Sequence, residues 1–146
     1  MKKLCIDFGC GYNPKKGYKT CDITNSPLLD YRYNGKDNIE GLEENSVDVF
    51  YLRNVVHHIH DLWMTFTTIR KYLKYAGKLI IIDCNKESFE ANVMLDRIWY
   101  RFVNNDRNIY ISEKYRNYTA ILETLGFKPI DYKHYKLKEK TEYEKN

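Results

Sequence analysis

The sequence predicts an α/β fold built on a mostly parallel sheet with helices on both faces, and three observations carry that prediction. Short apolar runs at 4–8, 47–52 and 78–82 each stop at a glycine, an arginine or an acid, as strands do at their ends. Between the second and third runs, Leu62, Phe66, Ile69 and Leu73 recur at spacings of four, three and four, the period of an amphipathic helix. Strands that alternate with helices bury their apolar faces as layers on a parallel sheet.

The elements follow in chain order. Residues 4–8 read as a first strand, closed by Gly9-Cys10-Gly11 and then by Asn13-Pro14 and Gly17. Residues 18–23 read as a second strand ending in Asp22, and 24–46 are polar and turn-rich. Residues 47–52 form a stronger strand that runs into Arg53-Asn54 and a histidine-rich segment. The helix of 62–75 is expected to stop at Ala76-Gly77. The β-branched run 78–83 suits a strand covered on both sides. Ser88 is placed as the cap of a helix to about 103, and Ser112 as the cap of another to 125, stopped by Gly126. Residues 127–135 give one or two terminal strands. The Lys/Glu alternation of 136–146 reads as a frayed, solvated tail. No repeat or linker divides the chain, so 1–146 is taken as one domain.

Composition bounds the function class. The chain has 146 residues, 43% of them hydrophobic and 30% charged, the balance of a globular domain, with 14 tyrosines as its one excess. A net charge of +4 spread along the chain falls short of the basic stripe of a nucleic-acid binder. No apolar stretch approaches the ~20 residues of a membrane span. Residues 1–4 run into a strand without a secretory core, and Cys5, Cys10, Cys21 and Cys84 form no CxxC pair. Free buried thiols and a cytoplasmic location are therefore expected.

In parallel sheets ligands sit beyond the carboxyl ends of the strands, near the point where the strand order reverses. The residues at those ends are Asp7, Gly9 and Gly11, then Asp22, Arg53-Asn54 and Asp83-Cys84-Asn85. Glycines admit close backbone approach by a ligand, and an acid ending the second strand can accept both hydroxyls of a ribose.

This ordered set resembles the class I S-adenosylmethionine-dependent methyltransferases. Ile6-Asp7-Phe8-Gly9-Cys10-Gly11, with Asn13-Pro14, Gly17-Tyr18 and Cys21-Asp22-Ile23, is similar to the opening block of a compact bacterial group of that family. Asn45-Ser46-Val47-Asp48, the 55–61 segment Val-Val-His-His-Ile-His-Asp, Gly77-Lys78-Leu79 and Leu125-Gly126-Phe127 match later blocks in the same order. The resemblance implies a three-layer Rossmann-like methyltransferase fold with a terminal antiparallel strand. It implies S-adenosylmethionine held by Asp7, Gly9, Cys10, Gly11, Asp22, Ile23, Asn34, Arg53 and Asn54, with Asp22 on the ribose and Asn34, or its rival Asp37, near the adenine. Two departures stand out: Asn13 replaces the third glycine, and only 15 residues separate position 7 from 22, which shortens the first helix.

The expected activity is methyl transfer to a small-molecule or glycan-related acceptor. A non-catalytic binding or regulatory module is the alternative, and a nucleic-acid methyltransferase is a further one, disfavoured because Arg53-Asn54-Val55-Val56 stands where amino-methylating enzymes carry Asn/Asp-Pro-Pro-Tyr. His57 or His58 is the candidate general base, against a packing role beneath the cofactor. No metal site is expected from His57-His58-x-His60-Asp61, because the i, i+4 pair of a zinc helix is missing and neighbouring histidines on a helix diverge. Trp99, Tyr100, Tyr110, Tyr115 and Tyr118 are read either as a substrate lid or as helix core, with a hinge placed at Asn104-Asn105-Asp106.

Overall fold

A computed structural model describes residues 2–11, 13–24, 26–103, 110–112 and 114–146; the expected hinge at 104–106 lies outside them. One sheet holds eight strands: β1 (Cys5–Phe8), β2 (Lys19–Asp22), β3 (Tyr31–Tyr33), β4 (Ile39–Glu40), β5 (Val47–Arg53), β6 (Leu73–Cys84), β7 (Phe127–His134) and β8 (Lys138–Lys145). Their order is β4-β3-β2-β1-β5-β6-β8-β7. The pairs β1–β2, β1–β5, β2–β3 and β5–β6 are parallel, while β3–β4, β6–β8 and β7–β8 are antiparallel. The chain steps outward from β1 through β2 and β3, then returns to the other side of β1 with β5. This reversal opens a crevice at the carboxyl ends of β1 and β5.

Alternation along the strands sends Ile6, Phe8, Phe50, Leu52, Leu79, Ile81 and Tyr143 to one face. There they meet Leu62, Phe66, Ile69 and Tyr72 of α1 (Leu62–Tyr72) and Leu122 of α3 (Thr119–Thr124). Asp61 caps α1, its carboxylate accepting the Met64 N–H at 3.0 Å. Helix α2 (Phe89–Ile98) continues as a π-helical turn, Trp99–Val103, and anchors through Phe89 and Val93 beside Cys84. The expected free thiols are found, Cys10, Cys21 and Cys84 buried and Cys5 half-buried.

Four boundaries differ from expectation. Helix α1 stops at Tyr72, and Leu73 already pairs with Val47. Residues 74–77 then bulge out before Lys78 pairs with Val49. Gly77 serves this bulge, since a Cβ there would stand 2.7 Å from the Lys74 carbonyl oxygen. Ser88 does not cap α2 through its side chain; its hydroxyl instead donates to the Leu137 carbonyl at 2.6 Å. Helix α3 begins at Thr119 rather than at Ser112, whose hydroxyl turns to the Lys114 carbonyl.

The fourth difference is the largest. The supposed tail is β8, inserted between β6 and β7. Its period of two turns Glu139, Thr141, Tyr143 and Lys145 inward, and Tyr143 is 0% exposed. The Lys145 ammonium donates to Asn45 Oδ1 and to the Arg70 and Leu73 carbonyls at 2.9, 2.8 and 2.7 Å, which compensates its burial. Charged residues of a strand do not fray when their partners are backbone carbonyls of the neighbouring elements.

Candidate active site

All nine residues expected to hold the cofactor lie at or just beyond strand ends on one edge of the sheet, with Asn34 reaching it from the turn after β3. Between β1 and β2 the described residues make turns and no helix, in line with the expected shortening. These turns are tied down from below: the buried Asp7 carboxylate accepts the Lys15 N–H at 2.7 Å, and Arg53 donates to the Asn13 carbonyl at 2.7 Å. Burial raises the Asp7 carboxyl above its ordinary value, against the pull of the Lys15 N–H and the Arg53 charge.

The two loop glycines do different work. Gly9 has φ +72°, and a Cβ on it would meet the Val55 side chain at 2.3 Å. Its bareness is required by packing inside the chain, whatever meets its backbone from the crevice. Gly11, at φ +55°, faces open space, with nothing within 4 Å of a Cβ. The backbone at Gly11 is open to approach, as it is at Gly17. Cys10 between them is buried, which pushes its thiol up to about 11.

Asp22 closes the cradle. Its two oxygens accept the N–H groups of Gly11 at 2.8 Å and Ile23 at 2.7 Å, fixing the carboxylate at the loop while leaving further lone pairs free. Beside it Ile23 is 57% exposed, against the turn that contains Gly35. That combination, an anchored carboxylate next to an exposed apolar side chain and an open glycine backbone, fits a ribose with an attached flat ring. Asn34 is held in its turn: its Oδ1 accepts the N–H groups of Lys36, Asp37 and Asn38, and its Nδ2 donates to Asp37 at 3.0 Å. It builds the turn that faces Ile23. Asn54 takes φ +55° where β5 ends, and its N–H reaches the Ile82 carbonyl at 2.8 Å.

The histidines sit where β5 meets β6. A single 3-10 turn, Val56–His58, brings the His57 and His58 rings to 4.1 Å between centroids, so the two do not diverge. Asp83 accepts from Val56 N–H, Cys84 N–H and His57 Nδ1 at 2.9, 2.7 and 2.8 Å. His57 Nε2 lies 2.5 Å from Asp96 of α2, and His58 Nε2 lies 3.4 Å from the same oxygen. His58 Nδ1 donates to the Tyr110 carbonyl at 2.9 Å. Burial opposes charge on His57, but the bonds to Asp83 and Asp96 outweigh it and raise its pKa to about 9. At neutral pH His57 is therefore an imidazolium donating to two carboxylates. Burial alone would raise both acids; the hydrogen bonds and charge of His57 hold them below the ordinary carboxylate range.

His57, His58 and Asp96 each offer a donor atom within 4.8 Å of the others, as a metal would require. The 2.5 Å contact is a charge-assisted hydrogen bond, whereas two ligands of one zinc stand about 3 Å or more apart. His57, Asp83 and Cys84 form a second such group, and the His57 bonds to Asp83 and Asp96 join the two. The cavity beside His57, walled by Asp83, Cys84, Phe89 and Tyr115, measures about 10 Å³, room for one water. Sequence reasoning had marked Asp83 only as a strand end and missed Asp96 and Arg116. Arg116 donates to the Val56 and Ile59 carbonyls at 2.7 and 2.6 Å, holding the 3-10 turn in place. No sequence spacing connects these residues; Asp83 alone had the signal of its place after an apolar run.

Comparison with known proteins identifies the family and the fold. A family model described as a methyltransferase domain matches residues 2–132. Polyketide synthase 19 of Gibberella fujikuroi is 24% identical over 119 residues, covering 80% of this chain and 4% of that protein. The highly reducing polyketide synthase AFT9-1 of Alternaria alternata is 30% identical over 88 residues, covering 59% of this chain and 3% of its own. The chain thus spans about 4% of the length of such relatives. Among solved structures, an S-adenosylmethionine-dependent methyltransferase from Mesorhizobium loti superposes with TM-score 0.70 at 10% identity, over 97% of this chain and 90% of that one. The CMeT domain of the citrinin polyketide synthase superposes with TM-score 0.69 at 14% identity, over 97% and 46%. These likenesses show a shared fold. No helix among the described residues is long and apolar enough to cross a membrane.

Proposed function

The chain belongs to the methyltransferase-domain family, and from that premise we propose that it is an enzyme transferring the methyl group of S-adenosylmethionine to a small organic acceptor. The observation that carries the reading is the Asp22 carboxylate, clamped by the Gly11 and Ile23 N–H groups beside a glycine that faces open space. When bound, the cofactor supplies a methyl group already activated on a sulfonium, so positioning is most of what the protein must add. The free lone pairs of Asp22 would accept the two ribose hydroxyls. Ile23 and the turn built by Asn34 offer an apolar and a polar side for the base. Gly11 lets the chain approach closely, and Arg53 keeps the loop in its place through Asn13.

His57 and Asp83 handle the acceptor's proton in this reading. Asp83 holds Nδ1–H; once Asp96 moves away with α2, its lost charge lowers the His57 pKa, the Nε2 proton leaves to solvent, and Nε2 is then the nitrogen that can take a proton from an acceptor hydroxyl or acidic carbon. With one water's room beside His57, an acceptor enters only as α2 moves aside. Small acceptors are supported by the polyketide synthases among the relatives and by the exposed apolar side of α2 and its continuation, with Leu95, Ile98, Trp99 and Phe102 outward. The shortened loop favours a non-catalytic module as the second reading.

Calorimetric titration with S-adenosylmethionine separates the two. The wild-type chain is expected to bind, and Asp22→Ala to bind ~10- to 150-fold more weakly, the loss of ~1.5–3 kcal/mol from one charge-assisted pair. Absence of binding by the wild-type chain, or unchanged affinity in a folded Asp22→Ala variant, would overturn the assignment.

A further inference from the structure

One face of the sheet carries α1 and α3; among the described residues no helix packs on the other. Cys5, Val49, Tyr51, Ile80 and Ile82 point to that second face, and none of them belongs to either buried cluster. Tyr51 is shielded locally, by the Tyr18 ring at 5.7 Å and the Lys15 ammonium at 4.9 Å. Val49, Ile80 and Ile82 are only partly buried at the middle of the sheet. Interior strands of a parallel sheet are normally covered on both faces.

The register explains what suits this face. Neighbouring strands place Ile82, Lys140 and Lys133 side by side at one level, on β6, β8 and β7. The next level on the same face reads Ile80, Glu142 and Asp131. Each level is thus apolar at the centre and charged outward, basic on one and acidic on the other. We infer that this face is a two-fold interface between two copies of the chain, with the symmetry axis parallel to the sheet and running across the strands between these levels.

That axis lays each strand antiparallel on its own copy. Ile82 then faces Ile80 of the second copy, Lys140 faces Glu142, and Lys133 faces Asp131. One level further out Lys138 faces Glu144, but Lys78 and Lys128 beside Glu144 carry the opposite sign, so the complementarity lies in the two central levels. An axis along the strands would instead stack Lys140 on Lys140 and Glu142 on Glu142. The charges therefore choose the arrangement, as an isologous contact requires. Within one copy Lys140 and Glu142 already lie 3.4 Å apart, so both side chains are held at the right place for a four-membered charge cluster. Five strands at about 4.8 Å spacing and seven residues at about 3.3 Å give roughly 550 Å² in projection as an upper bound, since the Lys15–Tyr18 turn takes up the part over Tyr51. That is near the lower end for a specific contact, and it points to a reversible dimer with a dissociation constant of the order of micromolar.

Sedimentation of the full chain between ~1 and ~200 µM tests this, that range bracketing the expected constant. The wild-type chain is expected to pass from monomer to dimer. An acidic-face variant, Lys133→Glu with Lys140→Glu, and a basic-face variant, Asp131→Lys with Glu142→Lys, are each expected to dimerise at least ~100-fold more weakly. Mixed together, they are expected to form a heterodimer of about wild-type affinity. A wild-type chain that stays monomeric overturns the proposal. So does a dimer that neither variant weakens, or a mixture that stays monomeric. Should a double variant lose its circular dichroism, the single changes Lys133→Glu and Asp131→Lys, both at exposed positions, serve in its place.

Discussion

His57 shows how a residue's chemistry is set by what folds against it. Its ring is buried, yet two carboxylates keep it charged, and only one of them is fixed by the sheet. Asp83 ends β6 and is satisfied by two backbone N–H groups as well as by His57. Asp96 belongs to α2 and is a third exposed. The arrangement predicts the effect of Asp96→Asn. Removing one of the two negative partners must lower the His57 pKa from about 9, because the charged ring loses attraction while its burial is unchanged. Titration of the imidazole by NMR checks it without any acceptor. A midpoint unchanged in Asp96→Asn would show that Asp83 alone sets the charge, and that Asp96 does not gate the ring.

At the scale of elements, β8 decides the stability of the far half of the sheet. It lies between β6 and β7, and Tyr143 contributes a fully buried ring to the main core. Truncation after Leu137 therefore removes an interior strand, leaves the β6 edge unpaired and strips the partner from β7. The expected outcome is loss of cooperative thermal unfolding, read by circular dichroism, where trimming a solvated tail would leave the melting temperature within a degree or two. The subtler change Lys145→Met leaves the Arg70 and Leu73 carbonyls and Asn45 without their donor, at a cost of about 1–3 kcal/mol. Helix α2 lies at the other extreme. It buries only Phe89 and Val93, which suits the opening over the site proposed for it.

For the whole molecule, the ion-pair cluster imposes a pH dependence on folding. His57 has a folded pKa near 9 against an ordinary 6.5, so its contribution is complete below about 6.5 and is lost as pH rises through 9. Asp83 and Asp96 are held below the ordinary carboxylate value, so theirs is present above about 4 and is lost as pH falls. Maximum stability is expected between these limits, well under the sequence pI of 8.7. Thermal melts from pH 5 to pH 9.5 should show a loss of the order of 3 kcal/mol on the alkaline side, absent in His57→Gln. An equal melting temperature at pH 6 and pH 9 in the wild-type chain would count against a charged His57. By itself, the sequence determined the α/β class, the strand-end acids and glycines and the approximate place of the histidines. Those features are local: a strand's period, a glycine's missing Cβ and an acid after an apolar run are all read within a few residues. Tertiary structure alone decided that Gly9 packs on Val55 while Gly11 faces outward, that Asn34 builds a turn, that Lys138–Lys145 is an interior strand, and that Asp83 and Asp96 enclose His57. Each of these depends on residues tens of positions apart meeting at one point, and on burial turning a weak local charge pattern into a strong interaction.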